Sequence, residues 1–272
     1  MEKKAVWPWV IVGVVAIGGV GGWLFKDDLA RLRAASPVIT ERQPDEDTKP
    51  SSPTPVAPTT PAQPRYPLDT EVAADQALPA MANSDAAAWQ ALSAMFPADA
   101  LALLLREHLI QRLVVHVDNL PQPSLPASAM ALRPVPGSVV VEAGMQGGEQ
   151  LAVANAERYA PWVAAFTRAD AQSMAAAYVR FYPLIQQAYR DIGHPDGHFN
   201  DRLVAVIDHL LQTPEPARPL AVEPDGKGRY RFVDPALQSL SVGQKALLRM
   251  DAAQQQAVKQ QLRAIRAAVT RG

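Results

Sequence analysis

In the stretch FNDRLVAVIDHLLQTPEP, Phe199 to Pro216, the charged residues Asp201, Arg202, Asp208 and His209 interleave with aliphatic residues at helical spacing. Carboxylate, guanidinium and imidazole groups gathered on one face are the parts of an acid–base site or of a polar contact surface. Wound at about 100° per residue, Leu203, Val204, Val206, Ile207, Leu210 and Leu211 share one side, and Asp201, Arg202, Asp208, His209 and Gln212 the other. Asn200 is placed to cap this helix, Asp201 stands at its positive end and His209 near its negative end, so each has a local electrostatic reason to be there. Two readings stand. One is the solvated side of an ordinary amphipathic helix. The other is a functional surface made of Asn200, Asp201, Arg202, Asp208 and His209, which either binds a partner or, as a hydrolase, sets His209 beside Asp201 or Asp208.

Just upstream, GHPDGHFNDR offers His194, His198 and Asp201 as imidazole and carboxylate ligands for zinc. The two histidines flank Pro-Asp-Gly, a turn signal, and so lack the i, i+4 helical face on which paired histidine ligands sit. No metal and no cofactor is expected. In VVHVDNLP, His116 and Asp118 invite an acid–base reading, but Asp and Asn before a proline also suit a helix terminus. The chain has no Cys, which removes a thiolate nucleophile, a thiolate metal ligand and a disulfide framework. No GxSxG, phosphate-binding loop or paired catalytic Glu appears either. Catalytic residues are left unassigned, and an enzyme is the lesser reading.

The elements that must position these residues are mostly helical. SDAAAWQALSAMF predicts a helix with Ser84 at its cap, and Pro97 opens a long one over ADALALLLREHLIQRLVVHV. SVVVEAG and EQLAV pair as a hairpin around MQGG, and PLAVEPDGKGRYRFV as another across DGKG. RADAQSMAAAYVRFYPLIQQAYRDIG places Met174, Tyr178, Phe181, Ile185 and Ile192 on one face, with a kink at Pro183 and a stop at Gly193. Ser241 and Gln244 have capping-box spacing, and Val258, Leu262, Ile265 and Val269 stripe the last helix.

Ahead of this lies a different composition. Ala5 to Phe25 are twenty-one residues without a charge, enough to span a bilayer, with Trp7, Trp9 and Trp23 near the ends. Lys3, Lys4 and a short N-terminal tail favour a cytoplasmic N-terminus, although Lys26, Arg31 and Arg33 stand on the other side. Gly18 and Gly22 have a GxxxG spacing through which two such helices would associate weakly. Ten Pro between Ala34 and Ala80, among Ser, Thr and Gln, make a disordered spacer with no core to bury. The expected organisation is therefore mainly α: a transmembrane anchor over 1–33, a Pro-rich disordered linker over 34–82, and a helical domain with one or two small β-hairpins over 83–272.

A net charge of −1 over 272 residues argues against a nucleic-acid partner. The one charge asymmetry comes after Pro235, where six Lys and Arg face a single acid, Asp251. Cations late in helices suit the dipole, so a solvated face is expected there, with contact to anionic lipid as the alternative.

HVDNLP, ERYAPWV, YVRFYPLIQQAYRDIG, FNDRLVAVIDHLLQTPEP, YRFVDPALQSLSVGQKALLRM and LRAIR together resemble the bacterial family named for domain of unknown function 3014, from about Pro97 to the end. The resemblance implies a membrane-anchored envelope protein and brings no activity, substrate or catalytic residue with it. The expectation is a single-pass inner-membrane protein, held in the bilayer by residues 5–25, that presents an interaction or scaffold domain to an envelope protein in the periplasm. The alternative is an envelope-acting hydrolase built on the polar face of 199–212.

Overall fold

A computed structural model describes residues 63–70, 77–126, 129–145, 147–226 and 228–271. The apolar stretch 5–25 and most of the Pro-rich linker lie outside the described residues. Among the described residues, no helix is long and apolar enough to cross a membrane.

The described residues are mainly helical, with one small antiparallel sheet among them. A 3₁₀ turn at Met81–Asn83 leads into α1 (Ser84–Ser93), followed by the short α2 (Ala98–Leu101) and by α3 (Leu109–Asn119). Strands β1 (Val141–Ala143) and β2 (Glu149–Leu151) precede α4 (Ala154–Arg168), α5 (Ala171–Asp191) and α6 (Phe199–Leu211). Strands β3 (Ala221–Pro224) and β4 (Tyr230–Phe232) precede α7 (Pro235–Gln238), α8 (Val242–Leu248) and α9 (Ala252–Val269).

The main core lies among α3, α5, α6 and α9, which pack on one another, with α1 against α3 and α4 against α9. Met174, Tyr178, Phe181 and Ile185 of α5 are buried there, as are Val258, Leu262, Ile265 and Val269 of α9. The apolar periodicity dictates this, because burying a stripe of about 100° removes most of each helix's exposed hydrocarbon. Ile192 is the exception and stays exposed, one residue before Gly193 ends the helix with φ 109°. Helix α5 continues through Pro183.

The long helix expected from Pro97 is broken. Leu101 closes α2, the chain turns, and α3 starts afresh after His108, which takes the left-handed φ of 53°. The new start is held from outside: Asp85 of α1 accepts from the backbone N–H groups of His108 and Leu109, each at 2.8 Å. A carboxylate on two first-turn amides answers both the orphan donors and the dipole. Two expected caps are also corrected. Asn83, not Ser84, precedes α1, and His198, not Asn200, precedes α6. Helix α4, which carries Pro161, is missed by the sequence reading.

Both expected hairpins form, and they join. Glu149 and Gln150 of β2 pair antiparallel with Val222 and Ala221 of β3, giving one sheet in the order β1-β2-β3-β4. Its buried face rests on a second, smaller core of Leu220, Val222, Phe232, Leu237 and Leu248. Helix α8 carries the expected capping box of Ser241 and Gln244, and α9 has a second one from Asp251 and Gln254. Helix α8 also abuts the end of α3: the N–H of Val242 donates to the Gln122 carbonyl and that of Gly243 to the Leu120 carbonyl.

Candidate functional site

The apolar side of α6 is buried as its spacing requires, with Leu203, Val206, Ile207 and Leu210 fully enclosed and only Leu211 partly open. Its other side is not an open, solvated face. Asn200 is 1% exposed, and its amide donates to the carbonyls of Tyr66 at 2.9 Å and Val269 at 3.0 Å. Asp201 accepts from the backbone N–H groups of Arg65 at 2.9 Å and Tyr66 at 2.8 Å. Residues 63–70, within the Pro-rich stretch, thus form a strap held at the first turn of α6 through Arg65 and Tyr66, with Tyr66 and Leu68 packed against the core.

The other three polar residues look elsewhere. Arg202 donates to the side-chain and backbone oxygens of Asp118 in α3, each at 2.6 Å. Asp208 is forked by Arg266 of α9, with the Nη2 bond at 3.0 Å. His209 Nε2 meets Ser241 Oγ at 2.8 Å, and its backbone carbonyl accepts from the Gln244 side chain. Burial, then the Arg202 charge, pulls the His209 pKa below the ordinary imidazole value. The sequence face is therefore divided among a strap, α3, α9 and the α8 cap, and its members do not converge on one point.

A serine beside a histidine suggests nucleophilic catalysis. Here the Ser241 hydroxyl already accepts from the Gln244 N–H at 3.2 Å as the cap of α8, and it is buried. Neither Asp208 nor Asp201 is turned toward this pair, because their oxygens serve Arg266 and the strap. Of the histidines upstream, His194 stacks on Tyr189 with ring centroids 4.3 Å apart and reaches Asp118 at 3.5 Å. The turn that carries it is pinned by Gln186, which donates to the Gly197 carbonyl and accepts from the Phe199 N–H. His116 is fully buried in α3, with Nδ1 between the Ala129 carbonyl and the Ala131 N–H.

The C-terminal cations are also not a single solvated face. Lys245, Arg249 and Lys259 are buried, whereas Arg263 and Arg271 are exposed. Lys259 Nζ donates to the Thr213 carbonyl at 2.6 Å and to Glu215 at 2.7 Å. Lys245 and Arg249 instead line a cavity of about 180 Å³ between the sheet, α4 and α8. Leu151, Val222 and Phe232 give it apolar wall, and Tyr159, Asp225 and Arg229 bring further polar groups. Asp225 holds Arg229 at 2.8 Å across the β3–β4 turn. Lys245 Nζ lies 3.5 Å from the Pro123 carbonyl and 3.3 Å from that of Gln238. Sequence reasoning missed this hollow. The available signal was a pair of cations at i, i+4 in SVGQKALLRM, a segment otherwise fit for burial.

No curated protein and no solved structure matches the chain. One family model does, over residues 109–266, from the start of α3 to Arg266 of α9. That span takes in α6, the whole sheet and the cavity behind it, and it covers more than half of the sequence. The chain belongs to the DUF3014 family, described as protein of unknown function.

Proposed function

We propose that this protein is a single-pass, membrane-anchored module of the bacterial envelope, whose helical domain is presented to the periplasm to contact an envelope protein. The observation that carries the reading is the charge-free run from Ala5 to Phe25, flanked by Lys3, Lys4 and Lys26 and followed by ten Pro before Ala80. A stretch of that length matches the hydrocarbon thickness of a bilayer, and a Pro-rich segment beyond it makes a spacer. The hydrolase alternative loses support from the way Asp201, Asp208 and His209 diverge to separate partners. Weak pairing of anchors through Gly18 and Gly22 belongs to the same proposal.

The test is a pair of reporters fused after Gly272, one active only outside the cytoplasm and one fluorescent only inside it. Activity of the first with silence of the second is the expected result. The reverse pattern overturns both the topology and the class of partner. Crosslinking in native membranes then identifies the protein contacted.

A further inference from the structure

We propose that the groove between α1, α2 and the loop entering α3 docks a short acidic segment of a partner protein, whose carboxylates are received by Arg106, Arg112 and Arg133. The class of partner rests on the reading of this domain as a contact module, and the geometry rests on residues 89–133 alone. The groove measures about 630 Å³, more than three times the cavity behind the sheet. Phe96, Leu101 and Leu104 are buried and form its floor, whereas Arg106 and Arg133 are exposed and stand at its rim, with Arg112 half-buried between floor and rim.

Each of these guanidinium groups is held in place without a carboxylate. Arg106 lies over the Trp89 ring, 3.8 Å from its centroid. Arg112 donates from Nε to the Glu107 carbonyl at 2.9 Å and from Nη1 to the Met130 carbonyl at 3.4 Å. Arg133 donates from Nη1 to the Ala102 carbonyl at 3.2 Å. Such contacts occupy only part of a guanidinium, which carries five N–H donors. Among the described residues, none of the three forms an ion pair. The acids nearby serve other ends: Asp85 accepts from the N–H groups of His108 and Leu109, and Asp99 from that of Ala100 at 3.0 Å. Glu107, the one carboxylate in the lining, is exposed.

Guanidinium groups already fixed by stacking and by carbonyls lose little freedom on meeting a ligand, and their planar fork matches a carboxylate in two parallel bonds. An apolar floor ringed by polar groups is the layout of protein interfaces, and Trp and Arg are the side chains that carry most of their binding energy. Three cations on separate segments around an apolar floor fit a chain that alternates carboxylates with an aliphatic side chain. A lone head group would fill little of this volume, which favours a peptide over a lipid head.

Calorimetric titration of the full chain with a hexapeptide of alternating Glu and Leu, with its Gln-for-Glu counterpart, and with glycerol phosphate as a soluble lipid head tests the assignment. The acidic peptide should bind saturably and about tenfold or more tighter than the other two, and salt should weaken it, because exposed charge pairs are screened. Arg106→Ala with Arg133→Ala, both at exposed positions, should weaken it at least fivefold, whereas Arg263→Ala should leave it unchanged. In the unaltered chain, backbone amide shifts should centre on Trp89, Leu104 and Arg106, which decides the matter even if the double variant fails to fold. No saturable binding, equal binding of the Gln peptide, binding of glycerol phosphate as tight as that of the acidic peptide, or undiminished binding by the folded double variant overturns the proposal. Shifts centred instead on Leu151 and Val222, at the cavity behind the sheet, do the same. The reporters fused after Gly272 judge the anchored-module reading separately, so a periplasmic result beside a failed titration removes this groove and leaves that reading standing.

Discussion

Asp201 and Asp208 stand two turns apart on α6, yet their neutral isosteres should behave differently. Asp201 uses both oxygens to accept backbone N–H groups, so Asn presents an NH₂ to a donor and loses one bond outright. The expected loss for Asp201→Asn is roughly 1–3 kcal/mol, as for a hydrogen bond to a charged group. Asp208 pairs with Arg266 where both side chains are more than a third exposed, and such pairs contribute at most about 1 kcal/mol. Urea midpoints of the two variants should rank in that order, and the reverse ranking would show that the strap contact is incidental. His209 supplies a pH effect of definite sign. Its folded pKa lies below the unfolded value of ~6.5, so the unfolded chain binds the proton more readily. Its contribution is complete above that unfolded value and is lost as pH falls from there through the folded one. His209→Gln should therefore melt with a smaller difference between pH 8 and pH 5 than the unaltered chain. An equal difference would mean that burial beside Ser241 does not hold the ring neutral.

At the scale of elements, Ile207→Ala or Leu210→Ala should lose roughly 2–5 kcal/mol, because transfer energy and a residual cavity add at fully buried positions. Gly243 in α8 makes a finer test. A methyl added there would meet Leu210 Cδ2 at 2.6 Å and the Leu120 carbonyl oxygen at 3.1 Å. Ala favours a helix over Gly by about 1 kcal/mol, but overpacking against backbone is worth about 1–3 kcal/mol in the other direction. Gly243→Ala should thus destabilise, and a raised melting temperature would show that α8 has room to withdraw from α3. These same elements show what local spacing can reveal. The stripe of α9, the apolar side of α6 and the Ser241–Gln244 box were legible because their signals repeat within one or two turns. The break before α3 was not, since its stabilising carboxylate, Asp85, belongs to another helix. The partners of the α6 face were hidden for the same reason: Asp201 is answered by Arg65 and Tyr66, and Asp208 by Arg266. Joining two hairpins through β2 and β3, with Lys245 and Arg249 enclosed behind them, is likewise a product of tertiary pairing that hydrophobic period does not encode.

For the whole molecule, the strap should contribute to stability as a unit. A chain starting at Ala77 forfeits the bonds from Arg65 and Tyr66 to Asp201 and the packing of Tyr66 and Leu68. Each kcal/mol lost from a domain of this size lowers the melt by about 2–4 °C, so it should melt at least about 2 °C below a chain starting at Gln63. Indistinguishable melts would reduce the strap to a surface contact. Asn200 makes the arrangement tighter, because one buried amide holds the carbonyls of Tyr66 and Val269 together. That has a mechanical consequence. On the proposed anchoring, the leash that sets how far the domain can travel ends at Arg65 rather than at Ser84. A tug along it loads Asp201 and Asn200, and through Asn200 the end of α9, before it reaches the first helix. Stretching one molecule between its two ends should give a small early rupture as the strap peels from α6, well before the force at which the helical body yields.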